Sequence, residues 1–292
     1  MKKLSIIGSG KVGSALGHLW HKQAVFTIGD VLNRSQGSSR LACERIGSGT
    51  ALGTMNDLQA ANVFMIAAPD DQITRLCKAL CASSVLRRGD VVFHCSGALS
   101  SMELDSATQL GASVASVHPV KTFIDSERAA SSFKGTHCAI EGGELAVSLL
   151  KPAFGAIGGR LFNIEADAKL TYHAASVFAC NYLTALLEVS AQAYEQAGLD
   201  RETAMQLMQP LVQDTIDNIF EKGTQQALTG PVARGDIAMV SKQLEALTQW
   251  NAKYAELYQS LGVVALSLAQ LPNRGMAPNH ETLVQLLDKN TH

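Results

Sequence analysis

No stretch of one charge sign runs through this sequence. Lysine and arginine number 24 against 26 acidic residues, for a net charge of −2. Nucleic-acid binders gather lysine and arginine into a patch, and none stands out, so no nucleic-acid partner is expected. The six cysteines, Cys43, Cys77, Cys81, Cys95, Cys138 and Cys180, include no CxxC pair. That spacing points away from a zinc site or a disulfide framework and toward reduced thiols in the cytoplasm. No metal is expected. An export signal is not expected either, because the apolar stretch behind Met1-Lys2-Lys3 is only Leu4 to Ile7 before glycines begin. Internal repeats and low-complexity linkers are absent. The longest charge-free run, Leu170 to Leu187, contains Tyr172, His173, Ser176, Asn181 and Thr184. It reads as a buried helix between domains rather than a membrane span.

What is present is ordinary globular material: 292 residues, 47% hydrophobic and 17% charged, enough for two domains. The first half alternates short apolar runs with helical patterns. Strands are expected at Leu4–Ile7, Thr27–Leu32, Val63–Ala67, Val91–Phe93 and Ser113–Val117, with later ones at Cys138–Ile140 and Arg160–Phe162. Helices are expected at Lys11–Lys22, Arg40–Ile46, Ile73–Ala82, Met102–Leu110 and Glu144–Ala156. Such alternation implies parallel strands joined by crossovers, a Rossmann-type doubly wound α/β sheet. Strand signals stop near Asn163, which divides the chain into an α/β domain, 1–163, and an all-α helical domain, 164–292. In the second part Glu165 to Ala197 reads as one long helix stopped by Gly198. Asp200 and Asp236 are placed to cap the next helices, the first of which carries Pro210. Two more helices follow, at Ala252–Ala269 and near Glu281–Leu287.

Gly8-Ser9-Gly10-Lys11-Val12-Gly13 matches GxGxxG directly between the first strand and the first helix. In that context the glycines permit a tight turn and close approach of a pyrophosphate to the helix N-terminus. NAD enzymes usually end the second strand on an acid that holds the ribose hydroxyls. Here the strand ends on Asn33-Arg34-Ser35. Arg34 can pair with a 2′-phosphate and Ser35 can hydrogen-bond it, so NADP(H) is the expected cofactor. Asp30 is read as mid-strand and turned away.

These motifs, with Ala68-Pro69-Asp70, His94-Cys95-Ser96-Gly97-Ala98, His118-Pro119 followed by Thr122-Phe123, and Gly230-Pro231-Val232-Ala233-Arg234-Gly235-Asp236, occur in one order. In combination they resemble a bacterial family of Rossmann-like proteins whose C-terminal half is a domain of unknown function. That family is similar to pyrroline-5-carboxylate reductases, deazaflavin-dependent NADP reductases, ketopantoate reductases and the 6-phosphogluconate dehydrogenase group. The resemblance implies a C-terminal domain like that of 6-phosphogluconate dehydrogenase, hydride transfer with NADP(H), and a homodimer through the helical domain.

Ligands of open α/β sheets lie at the carboxyl ends of the strands. Ala68, Pro69 and Asp70 would line the cofactor path. By resemblance, Ser96 and Gly97 would lie near the nicotinamide, with Ser96 also touching substrate. His118 ends the next strand and suits proton transfer near neutrality; His94 is a weaker candidate. Cys95 reads as a buried filler. At 100° per residue Lys169, His173, Ser176, Cys180 and Thr184 share one helical stripe, with Asn181 on its rim. Lys169-x-x-x-His173 is similar to the Lys-x-x-x-Asn pair of the 6-phosphogluconate and ketopantoate groups. The proton-donor candidates are therefore His173, Lys169 and His118, with Asn181 beside them and a substrate-sized gap between the stripe and the Ser96-Gly97 turn. Arg234 is the candidate clamp for a substrate carboxylate, and Asp236 reads as a helix cap. The resulting expectation is an NADPH-dependent oxidoreductase reducing a C=O or C=N bond of a small carboxylate-bearing substrate, such as a 2-keto acid (ketopantoate, for example) or a cyclic imine. The competing class is a non-catalytic NADP-binding sensor or scaffold. A deazaflavin-linked carrier would need a second large planar pocket.

Overall fold

The computed structural model describes residues 1–269 and 279–288. The chain forms two compact units, Met1–Asn181 and Tyr182–His292. The first unit begins β1 (Lys2–Ile7), α1 (Lys11–Lys22), β2 (Phe26–Leu32), α2 (Gln36–Ile46), β3 (Thr50–Leu52), β4 (Val63–Ile66) and α3 (Asp70–Ala82). It continues with β5 (Val91–His94), α4 (Asp105–Gln109), β6 (Ser113–Pro119), α5 (Ser126–Ser131), β7 (His137–Gly142), α6 (Glu144–Ala156), β8 (Arg160–Asn163) and α7 (Lys169–Ser176). Eight strands form one sheet in the order β3-β2-β1-β4-β5-β6-β7-β8. The order runs outward both ways from the β1–β4 neighbours, which is the doubly wound arrangement with its switch point where GxGxxG stands.

The sheet is parallel at every joint but one. β7 runs antiparallel to β6, with Pro119 opposite Cys138 and Ala115 opposite Gly142. The expected uniform parallel order fails here because β7 starts beside the end of β6. No crossover returns the chain to the other edge, so the strand must run back. Several short elements escaped the sequence pattern, among them the three-residue β3, the six-residue α5 and the 3₁₀ turn Ser101–Leu104 that replaces the first half of the expected Met102–Leu110 helix. One face of the sheet is packed around Trp20. Its ring meets Phe26, Phe93 and Phe154 edge-on at 5.5, 6.3 and 5.0 Å, and its indole N–H donates to the Ala153 carbonyl at 2.9 Å. That bond lets a fully buried indole satisfy its one polar atom.

The long helix is not uniform. A π-helical segment, Val177–Tyr182, separates α7 from α8 (Leu183–Gln196). A π turn bonds i to i+5 and takes in more residues per turn than an α turn. The single stripe expected from Lys169 to Thr184 is therefore broken after Ser176, and Asn181 sits exposed within the π segment. The expected burial of this helix is also corrected. The helical stretch Ala166–Gln196 is long and apolar enough to cross a bilayer by length and composition, yet only 6% of its most apolar window is buried. Leu170 is 70% and Phe178 67% exposed.

Among its described residues the second unit is all helix. After α8 come α9 (Arg201–Lys222), α10 (Thr224–Ala227), α11 (Pro231–Arg234), α12 (Ile237–Trp250), α13 (Ala252–Ala269) and α14 (His280–Leu287). The expected caps are present: Asp200 accepts from the Thr203 N–H at 2.9 Å and Asp236 from the Met239 N–H at 3.1 Å. Gly198, at φ +96°, follows the end of α8. A small core of Val240, Leu266, Leu283 and Leu287 holds α12, α13 and α14 together.

Candidate active site

The glycine loop carries the conformations its motif demands. Gly8 has φ +83°, and a side chain there would stand 3.0 Å from the Ala67 backbone and the Ala68 Cβ. A Cβ on Gly13 would stand 3.1 Å from Ala67 Cβ and from the Gly8 carbonyl oxygen. Gly10 faces open space and begins α1 without a side-chain cap, and no acid lies in the first turn. The first N–H groups of α1 are thus left for an anion. Around the loop, Ser9, Asn33 and Ser35 act as braces. The Ser9 N–H donates to Asn33 Oδ1 at 2.6 Å, Asn33 Nδ2 donates to the Ser38 carbonyl at 3.0 Å, and Ser35 Oγ caps α2 by accepting from the Ser38 N–H at 3.2 Å. Arg34 and Lys11 are exposed beside them, and among the described residues neither makes an ion pair. Asp30 is mid-strand in β2, 3% exposed, and its carboxylate accepts from the Gln59 N–H at 2.7 Å. It is spent on the fold and not on a ribose. Val12 packs against the core, Ala68 and Pro69 follow β4, and Asp70 opens α3 exposed.

A second cluster sits at the carboxyl ends of β5 and β6. Strand register aligns His94 with Ser116 and Ser116 with Glu141. His94 is fully buried. Its Nδ1 accepts from the Ser96 N–H at 3.2 Å, which leaves the proton on Nε2 to donate to the Ser100 carbonyl at 3.0 Å. Burial pushes this imidazole down to about 4. His94 therefore ties the Ser96–Ser100 turn and has no nitrogen left for chemistry. Ser96 Oγ accepts from the N–H groups of Ala98 and Leu99 at 3.1 and 2.9 Å, so it too stabilises the turn. Cys95 is driven up to about 12 by burial and is no nucleophile.

Lys169, the first residue of α7, is only 1% exposed. Its ammonium donates to the Ser96 carbonyl at 2.9 Å and to Ser116 Oγ. Burial lowers this lysine to about 8, with the Glu141 carboxylate the strongest influence in the other direction. Glu141, itself buried, accepts from the N–H and hydroxyl of Ser101, both at 2.7 Å. The row Lys169–Ser116–Glu141–Ser101 clamps the turn from beneath. Of its members only Lys169 stood out in sequence. Ser116 carried one faint signal, its place two residues before His118 on the same strand face.

His118 and His173 come together over Gly97. A Cβ on Gly97 would stand 2.5 Å from His173 Nδ1 and 2.9 Å from His118 Nε2. The rings are edge to face, with centroids 5.9 Å apart. The expected substrate-sized gap between the helix and this turn is absent at Gly97: the imidazoles themselves occupy the place of the missing side chain. His118 Nδ1 lies 2.9 Å from the Tyr172 hydroxyl, a partner not foreseen, and Tyr172 packs edge-on against Phe162. His173 Nδ1 is buried with no hydrogen-bond partner. Burial holds His118 down to about 4, with Lys169 and His173 adding to the effect, and Tyr172 up to about 12. Both are neutral across the physiological range. Asn181 is exposed, and Arg234 is an exposed residue of the second unit that ends α11 and, among the described residues, makes no ion pair.

Residues 1–119 match the Rossmann-like domain family, and residues 136–264 match the domain of unknown function DUF2520. The protein TM1727 from Thermotoga maritima matches with a TM-score of 0.72 at 28% identity, over 91% of this chain and 98% of that one. An imine reductase from Myxococcus stipitatus, solved with NADP+, gives 0.65 at 17% identity over 98% of this chain and 100% of its own. A pyrroline-5-carboxylate reductase from Coxiella burnetii gives 0.57 at 18% identity over 97% and 98%. The two reductases share the fold of this chain. No curated protein matches it in sequence. The DUF2520 match begins at residue 136, so it takes in β7, β8 and α7 and with them Glu141, Lys169, Tyr172 and His173.

Proposed function

We propose that this chain is an NADPH-dependent oxidoreductase that reduces a C=O or C=N bond of a small carboxylate-bearing substrate. The observation that carries the reading is the open, uncapped N-terminus of α1 behind a loop whose Gly8 and Gly13 have no room for side chains. That cradle suits the pyrophosphate of a dinucleotide. Arg34, exposed at the end of β2, would take the 2′-phosphate, and the likeness in fold to a reductase solved with NADP+ supports the same cofactor. Bound there, the nicotinamide supplies hydride. The chain supplies the proton, and the imidazoles of His118 and His173, at the carboxyl ends of the strands, are its source. Lys169, buried and with its bonds made to Ser96 and Ser116, positions the turn and does not itself reach a substrate. Arg234 is the proposed carboxylate clamp. The protein would work in the cytoplasm as a homodimer, whose second copy covers Leu170, Phe178 and the apolar side chains exposed on α9.

The sensor remains a second reading because the two imidazoles rest on Gly97, where a substrate needs room. An NADPH-oxidation screen against 2-keto acids and cyclic imines separates the two. Turnover that falls by ~10²–10⁴-fold in His173→Ala, with NADPH affinity kept, supports the enzyme. Tight NADPH binding with no turnover across the screen supports the sensor.

A further inference from the structure

We infer that Tyr172 is a positioning residue: it holds His118 as the Nε2–H tautomer and thereby turns His118 and His173 into a two-imidazole proton relay. The inference rests on the reading of these histidines as the proton source, but its test does not need a substrate.

The argument starts at the 2.9 Å contact between the Tyr172 hydroxyl and His118 Nδ1. A phenol is a stronger acid than a neutral imidazole N–H, and an imidazole nitrogen is a stronger base than a phenol oxygen. The hydroxyl therefore donates and Nδ1 accepts. A neutral imidazole that accepts at Nδ1 carries its proton on Nε2. That nitrogen and the neighbouring Cε1 lie 2.9 Å from the place where a Cβ on Gly97 would stand, and His173 Nδ1 lies 2.5 Å from the same place. A proton-bearing nitrogen of His118 and a buried, partnerless nitrogen of His173 thus border the same small space beside Gly97. Leaving such an acceptor unmet costs roughly 1–3 kcal/mol, which favours a small ring rotation that joins the two. Only Gly97 permits this: any side chain would stand between the rings.

Once joined, His173 accepts at Nδ1 and keeps its own proton on Nε2. The order is that of a catalytic triad, in which one group fixes the tautomer of the next. When the Nε2 proton of His173 leaves, the His118 Nε2 proton moves to His173 Nδ1. The Tyr172 proton moves to His118 Nδ1, and water returns a proton to the half-exposed phenol. Each ring loses one proton and gains one, so neither acquires charge inside the protein. Exchange with water resets both rings between turnovers.

The test is long-range ¹H–¹⁵N correlation of the histidine side chains in the full chain near pH 7, with His118→Asn and His173→Asn assigning the two signals among eight histidines. Wild type should show His118 and His173 each protonated on Nε2 with a bare, accepting Nδ1. Tyr172→Phe, which keeps the ring against Phe162, should release His118 into an averaged mixture of tautomers. His118 protonated on Nδ1 in wild type overturns the inference, and so does an unchanged His118 tautomer in folded Tyr172→Phe. Should that variant not fold, the wild-type spectrum alone decides. Failure of the cofactor reading would appear instead as no NADPH binding, with these tautomers intact.

Discussion

Replacing Gly97 by alanine places one methyl group between two imidazoles. The backbone there needs no positive φ, so the variant carries no conformational strain of its own, and its effect comes from the added carbon alone. Ordinary van der Waals contact begins near 3.4 Å, whereas the new Cβ would lie 2.5 Å from His173 Nδ1 and 2.9 Å from His118 Cε1 and Nε2. His173 must retreat by about 0.9 Å and His118 by about 0.5 Å. Overpacking of this kind costs ~1–3 kcal/mol. At ~2–4 °C per kcal/mol for a domain of this size, the thermal midpoint should fall by several degrees while the protein still folds. A misplacement of ~1 Å at reacting groups costs ~10²-fold in rate. Gly97→Ala should therefore lose about two orders of magnitude in turnover, with NADPH affinity little changed, since the glycine cradle for the phosphates is a separate loop. Differential scanning fluorimetry, NADPH titration by fluorescence and the turnover assay measure the three effects. Gly97→Ala with wild-type turnover, and with both histidine resonances unmoved, would refute the placement of the reacting groups.

Three further outcomes follow from the same geometry. Arg34→Ala should weaken NADPH by about 1.5–3 kcal/mol and leave NADH unchanged, because only one of them offers a 2′-phosphate; equal losses in parallel titrations would remove Arg34 from this role. Burial holds His94 and His118 down at about 4 in the folded chain, against 6.5 for a free imidazole. Between these values the unfolded chain takes up protons that the folded one does not, so stability should be full above about pH 6.5 and be lost as pH falls toward 4; urea midpoints that stay flat over that window would contradict the burial. Phe220 is 87% and Leu211 59% exposed on α9, so light scattering should give twice the 31.0 kDa chain mass and Leu211→Asp with Phe220→Asp should halve it; a monomeric wild type at micromolar concentration would end the dimer proposal.

The scaffold was legible wherever periodicity and punctuation agreed. Lys11–Lys22 and Glu144–Ala156 are bounded as their patterns indicate, and Ala252–Ala269 is helical throughout. The helix caps Asp200 and Asp236 could be named because a cap is a local event, one side chain and an N–H three residues on. The site resisted for the opposite reason. Tyr172 and His118 meet across 54 positions of chain, and Lys169 reaches Ser96 across 73. No local pattern records such contacts, and a lysine in the first turn of a helix looks solvated until the fold buries it. The π segment was equally silent, since its residues differ in no obvious way from those of the α turns beside it, yet it breaks the regular spacing that would keep Cys180 and Thr184 on the stripe of Lys169 and His173. Gly97 shows most clearly that one sequence signal can have more than one cause. A glycine at the end of β5 implies close approach, and the approach is real. The resemblance implies a cofactor ring there, and two of the chain's own side chains also make the approach. A glycine reports that something must come near; only the fold says what comes.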